Sequence, residues 1–127
     1  MSKALDDLDP KFKPLAIELL ARASEAGIPV MVIDTRRTQA EHEANLAAGR
    51  SWIQRSKHLD GLAIDVCPYA IYDLHGPDKL EWNATDPAWE RLGKIGKRLG
   101  LRWGGDWEQA DLGHFEYQAL KPVGEAI

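Results

Sequence analysis

The sequence predicts an α+β domain, a short and mainly antiparallel sheet flanked by helices. Three observations carry that reading. Apolar residues recur at helical spacing in separated windows. Short runs rich in β-branched and aromatic residues lie between them, and the two kinds of run are interspersed without the regular alternation of a βαβ series. A chain of 127 residues suits one hydrophobic core and leaves no room for a second domain of ordinary size, so residues 1–127 are expected to form a single domain.

Pro10 to Ala26 reads as the first helix. Leu15, Leu19 and Ala23 recur at helical spacing with Ile17 and Leu20 beside them, Pro14 falls in the first turn where a missing donor does little harm, and Gly27 is a natural stop. The run Pro29-Val30-Met31-Val32-Ile33 fits a short buried strand. Thr38 looks like an N-cap, with Glu41 completing a capping box, so a second helix runs through Ala48 and ends at Gly49. Arg36 and Arg37 then occupy the strand-to-helix connection, a common place for functional side chains.

Gly49 to Leu59 is polar and irregular around Trp52 and Ile53. Ala63 to Val66 resembles a strand that Pro68 ends, and Tyr69 to Ala84 is an insertion or a hairpin. Asp86-Pro87 opens a third helix, with proline at its first position, that continues to Leu99 and stops at Gly100. Leu101-Arg102-Trp103 and His114-Phe115-Glu116-Tyr117 are two further short strands, joined by the loop Gly104 to Gly113.

Bulk properties exclude several function classes. A net charge of -4 gives no support to nucleic-acid binding, which shows a clustered basic excess. The local group Lys94, Lys97, Arg98 and Arg102 fits the solvated face and C-terminal end of a helix, where cations are favourable. Met1 to Asp7 lacks the apolar run of a secretory signal, and no segment approaches the roughly 18 apolar residues of a membrane span. Cys67 is the only cysteine, so no intrachain disulfide forms.

Chemistry concentrates in two runs. The segment Ser56 to Asp65 contains His58, a glycine turn at Gly61 and an aspartate inside the apolar strand Ala63-Ile64-Asp65-Val66; Asp111-Leu112-Gly113-His114 follows near the C-terminus. A buried carboxylate costs several kcal/mol unless it is paired or metal-bound. Two histidines and one carboxylate form a recognised zinc set that leaves a fourth position for water. His58, Asp65 and His114 are therefore the candidate ligands, with the alternative that each is an ordinary polar residue. Cys67, two residues beyond Asp65 on the same strand face, is a conceivable fourth ligand, although a thiolate there closes the site as in structural zinc.

The compound pattern Ser56-x-His58-x-x-Gly61-x-Ala63-x-Asp65 with Asp111-x-x-His114 resembles the signature of the zinc D-Ala-D-Ala carboxypeptidase and L-alanyl-D-glutamate endopeptidase family, which includes VanX- and VanY-type enzymes and many phage endolysins. Arg37-Thr38 before the second helix also resembles the family's earlier Arg-Ser/Thr motif, and the likeness spans roughly Ile28 to Tyr117. It implies the Hedgehog/DD-peptidase-like fold and a zinc metallopeptidase acting on the stem peptide of bacterial peptidoglycan.

Residue by residue, the resemblance makes His58, Asp65 and His114 the zinc ligands and Asp111 the catalytic acid/base; aspartate at that position resembles the endolysin branch. It makes Arg37, rather than its neighbour Arg36, the arginine near the scissile bond, with a catalytic or substrate-carboxylate role. Ser56 matches the family serine, with a substrate role or a loop-stabilising hydrogen bond equally open. Glu116 competes with Asp111 as base, since on a strand it shares the face of His114. An aspartate is ordinarily too acidic for this work, so Asp111 is expected to be partly desolvated. Trp103 and Trp107 bracket Gly104-Gly105-Asp106 and either pack the edge of the core or wall a substrate groove, where Trp103 is taken as a substrate contact. His42 and His75 are assigned to a helix face and a loop.

The expected partner is the peptidoglycan stem peptide, with one zinc ion and its water as cofactor and a monomeric protein. Without a visible signal or wall-binding module, the chain fits an endolysin that accumulates in the host cytoplasm and reaches the wall through a separate holin pore. The expected cleavage is between L-Ala and D-Glu. Hydrolysis of a D-Ala-D-Ala bond is the alternative, and a non-catalytic zinc protein on the same fold is a third.

Overall fold

The computed structural model describes residues 3–36, 39–47, 57–69 and 84–118. Its helices are α1 (Lys13–Glu25), α2 (Gln39–Ala47) and α3 (Pro87–Arg98), and its strands β1 (Val30–Asp34), β2 (Ala63–Pro68), β3 (Arg102–Trp103) and β4 (His114–Glu116). The strands form one sheet in the order β1-β2-β4-β3, with every pair antiparallel. The α+β expectation holds.

Helix α1 starts later than expected, at Lys13, and Phe12 caps it without a side-chain bond. Its buried stripe is Phe12, Ala16, Leu19 and Ala23, while Ile17 is exposed. Leu15 and Leu20 are partly buried against the same core, so of the expected apolar residues only Ile17 is turned to solvent. Helix α3 begins where the proline and aspartate indicate, with Asp86 Oδ1 accepting the Ala88 amide at 2.8 Å. The Arg91 guanidinium donates to the Ala26 carbonyl at 2.8 Å, satisfying the C-terminal end of α1 and binding the two helices together.

The core lies between these helices and one face of the sheet, where Ile64, Val66, Trp103 and Phe115 are buried. Two glycines of α3 make this approach possible. A Cβ at Gly93 would sit 2.4 Å from the Trp103 indole, and one at Gly96 would sit 2.4 Å from the Phe115 ring. Glycine inside a helix costs about 1 kcal/mol relative to alanine. Each ring buries on the order of 150–250 Å², roughly 4–6 kcal/mol of gross burial, so the flat helix face is favoured.

Two expectations are corrected. Strand β1 is an edge of the sheet among the described residues, with Met31 exposed, rather than a buried strand; an apolar run also suits a strand covered on one face only. Arg102 lies on β3, as the expected Leu101-Arg102-Trp103 strand has it, and so leaves the helix-end basic group, and its side chain approaches Glu116. The expected cap at Thr38, the stop at Gly49 and most of the segment from Tyr69 to Ala84 lie outside the described residues.

Candidate metal centre

The sheet face turned away from the core carries the polar cluster. Period-two alternation sends Ile64 and Phe115 inward and their neighbours Asp65 and His114, which are register partners, outward. His58 arrives by a local route. Lys57–Asp60 is a single 3-10 turn, closed by the Leu62 amide to the Lys57 carbonyl at 2.9 Å, and Gly61 at φ +70° swings the chain into β2. That turn folds back a ligand seven residues ahead of Asp65 and buries it to 1 % exposure. The sequence indicated the glycine turn at Gly61 but not the 3-10 turn before it.

A bulge in β1 completes the placement. The register between β1 and β2 shifts between Val32 and Asp34, which puts Asp34 opposite Asp65. The next residue, Thr35, presents its carbonyl to His58, whose Nδ1–H donates at 2.7 Å. His58 Nε2 is thereby the nitrogen turned to Asp65, with Oδ2 at 3.2 Å. On the other side His114 Nδ1 lies 3.1 Å from Asp65 Oδ1, and His114 Nε2 lies 2.9 Å from Glu116 Oε1.

Electrostatics follow from this geometry. Burial alone raises the Asp65 carboxyl, but hydrogen bonds and charge from His114 and His58 outweigh it and hold the group well below the usual carboxylate range. Burial likewise lowers His114, yet its hydrogen bonds to Asp65 and Glu116, with the charges of Asp65 and Asp111, bring it up to about 9. Burial raises Glu116, and His114 and Lys57 together lower it below its ordinary value.

One ligand atom each from His58, Asp65 and His114 lies within 4.8 Å of the others. Bonds of about 2.0–2.1 Å in a tetrahedral site separate ligand atoms by about 3.3 Å, close to the observed 3.1 and 3.2 Å spacings. Both imidazoles have their remote nitrogen engaged by an oxygen acceptor, the arrangement usual for metal-bound histidines. The donor set therefore fits zinc.

The remaining candidates divide. Asp111 Oδ2 lies 3.9 Å from His114 Nδ1, the nitrogen that also faces Asp65, and the Asp111 side chain is 46 % exposed. Its backbone amide donates a hydrogen bond to the Gly104 carbonyl at 2.9 Å, and a Cβ at Gly104 would meet the Asp111 carbonyl at 2.4 Å. Glu116 shares the face of His114 as expected, but it engages the opposite nitrogen and is met by Lys57 Nζ at 3.3 Å. Cys67 is absent from the cluster; its thiol donates to the Pro68 carbonyl.

Trp103 packs the edge of the core, the first of the two roles open to it. It is buried against Gly93 and Gly105, and its indole N–H donates to the Leu112 carbonyl at 2.7 Å, beside Asp111. The indole at the site is Trp107, half-buried with its ring centroid 4.9 Å from that of His114. Arg36 is exposed, and His42 falls on α2. Arg37, Ser56 and His75 lie outside the described residues. Sequence reasoning missed Thr35 and Lys57. A backbone carbonyl leaves no sequence signal, whereas Lys57 adjoins a ligand and was open to notice.

A family model described as D-alanyl-D-alanine carboxypeptidase, of the M15 peptidases, matches residues 49–117. The L-alanyl-D-glutamate peptidase of Listeria phage A118 is 34% identical over 97 residues, 75% of this chain and 32% of that protein. The enzyme of the same name from Escherichia phage T5 is 34% identical over 93 residues, 67% of this chain and 64% of that protein. The chain thus spans less than two thirds of either phage relative. Among solved structures, the Serratia marcescens L-Ala D-Glu endopeptidase ChiX superimposes with a TM-score of 0.70 at 22% identity, over 90% of this chain and 83% of that one. The vancomycin resistance D,D-pentapeptidase VanY, solved in complex with Zn(II), gives 0.58 at 19% identity, over 87% and 72%. These likenesses show a shared fold.

Proposed function

The chain belongs to the D-alanyl-D-alanine carboxypeptidase family of M15 peptidases, and on that premise we propose that it is a zinc peptidase cleaving the peptidoglycan stem peptide between L-Ala and D-Glu. The observation that carries this reading is the convergence of His58, Asp65 and His114 with Asp111 beside them. A purely structural metal site has no need of a neighbouring base.

In this reading His58 Nε2, the Asp65 carboxylate and His114 Nδ1 hold the ion. Zinc bound there supplies Lewis acidity toward a peptide carbonyl and brings the pKa of water to about 7. Asp111 accepts the proton of the attacking water and returns it to the leaving amine. Its position on the Nδ1 side of His114 favours it over Glu116, whose carboxylate is engaged behind the ring. Arg37 steadies the developing oxyanion or a substrate carboxylate. Ser56 contacts substrate, and Trp107 takes the groove-wall role first given to Trp103.

The names of both phage relatives and of the Serratia endopeptidase favour the L-Ala–D-Glu bond. The phage sources of two relatives also favour an endolysin, and the proposal includes its synthesis in a host cytoplasm, its release to the wall by a separate holin and action as a monomer. No helix among the described residues is long and apolar enough to cross a membrane. A second reading, hydrolysis of a D-Ala-D-Ala bond, is favoured by the description of the family model.

One assay separates the readings. The zinc-loaded protein is incubated with purified peptidoglycan and new termini are identified. N-terminal D-Glu is the expected product, free D-Ala supports the second reading, and no release points to a non-catalytic zinc module.

A further inference from the structure

Glu116 is a carboxylate with an unusual set of neighbours. It is 6 % exposed, and a buried charge of this kind costs several kcal/mol unless fully compensated. Its Oε1 lies 2.9 Å from His114 Nε2, while its Oε2 faces Lys57 Nζ at 3.3 Å and Arg102 at 3.6 Å. Lys57 directly precedes His58 and also donates to the Tyr117 carbonyl at 2.7 Å. Arg102 is the register partner of Glu116 on β3. Both cations are partly exposed, so a carboxylate serving them alone had no reason to sit buried behind an imidazole.

We propose that Glu116 is a positioning residue for the metal: anchored by Lys57 and Arg102, it fixes Nδ1 as the metal-facing nitrogen of His114 and clamps the turn of His58 to the strand of His114. This inference rests on the zinc reading above. The geometric reason is specific. Turning the His114 ring over would present carbon edges to both Asp65 and Glu116 and forfeit contacts of 3.1 and 2.9 Å. Because the partner of Nε2 is a charged side chain, its loss weakens one ligand selectively. Outer carboxylates of this kind typically contribute about 10- to 100-fold in metal affinity.

Zinc affinity is measured by competition with a chromogenic chelator for the native chain, Glu116→Gln and Lys57→Met. Circular dichroism of each metal-free protein and the visible spectrum of its cobalt form are recorded alongside. Glu116→Gln is expected to keep its fold, lose about 10- to 100-fold in zinc affinity and shift the cobalt d–d bands. Lys57→Met, which leaves the carboxylate in place, is expected to lose about three- to tenfold. Native affinity within twofold and an unchanged cobalt spectrum in a folded Glu116→Gln overturn the proposal. If that variant does not fold, Lys57→Met decides: weaker zinc binding supports the clamp, and unchanged binding overturns it. A native chain that takes up no zinc overturns the metal reading itself, and the first titration shows this before any variant is compared.

Discussion

His58 and His114 bring the same chemical group to Asp65 from two differently built regions. His58 stands on a 3-10 turn close in sequence to Asp65, and a backbone carbonyl, that of Thr35, orients its ring. His114 stands on a strand 49 residues away from Asp65, and a buried side chain, Glu116, orients it. The first ligand is therefore insensitive to side-chain identity at its orienting residue. The second depends on a charge, on two cations that neutralise it, and on the packing of Phe115 and Trp103 that holds β4 and the adjoining loop. The second region also carries Asp111, so the ligand orientation and the proton transfer proposed above are both concentrated there.

The sharpest test of this asymmetry is Asp111→Asn. Hydrolysis of peptidoglycan is expected to slow about 10²- to 10⁴-fold with zinc content unchanged. A slowing of less than tenfold in the zinc-loaded variant moves the proton chemistry away from the His114 region. Packing comes next. Gly96→Ala drives a methyl group into the Phe115 ring and is expected to cost about 1–3 kcal/mol, read from a urea unfolding midpoint. An unaltered midpoint means that β4 is not held by this contact.

Proton linkage gives a smaller and graded effect. The folded His114 pKa of about 9 lies above its unfolded value, so its contribution is full below about pH 6.5 and is lost as pH rises through 9. Asp65 is depressed, so its contribution is full above about pH 4 and is lost on acidification. Metal-free protein is thus expected to melt highest between about pH 4 and 6.5 and progressively lower toward pH 9. Saturating zinc removes the alkaline decline, because the metal takes the place of the His114 proton. A metal-free melting temperature flat from pH 6 to 9 excludes this linkage.

Thr35→Val is the control for the His58 side and has the smallest expected effect. The carbonyl that binds His58 survives the change, and the Thr35 hydroxyl is buried with no hydrogen-bond partner among the described residues. Zinc affinity within about twofold of native and an equal or slightly higher melting temperature are expected. A tenfold loss of affinity means that the hydroxyl, not the carbonyl, supports the site.

Much of the candidate site was legible in the sequence because metal ligation needs particular residue types. His58, Asp65 and His114 were candidates on type, spacing and the oddity of a carboxylate in an apolar strand, the family resemblance settled the choice, and the structure brings the three together. Glu116 was noticed for its shared strand face with His114, as the less favoured base, and a positioning role was not weighed for it. Which nitrogen of His114 it meets depends on ring orientation, and no spacing encodes that. Trp103 and Trp107 were not told apart because both flank the same glycines; only the packed structure seats Trp103 against Gly93 and Trp107 beside His114.

Local signals were enough wherever the physics is local. Proline and aspartate at positions 86–87, glycines at 27 and 100, and short β-branched or aromatic runs marked α1, α3 and the strands among the described residues, and with them the α+β class, since caps and periodicity act within a few residues. Tertiary structure alone decided the register that sets Asp65 against His114, the bulge that aims the Thr35 carbonyl and the burial of Glu116 between two cations. Those outcomes join residues distant along the chain. They are fixed by the summed packing of α1, α3 and the sheet, and that sum exists only once the elements have met.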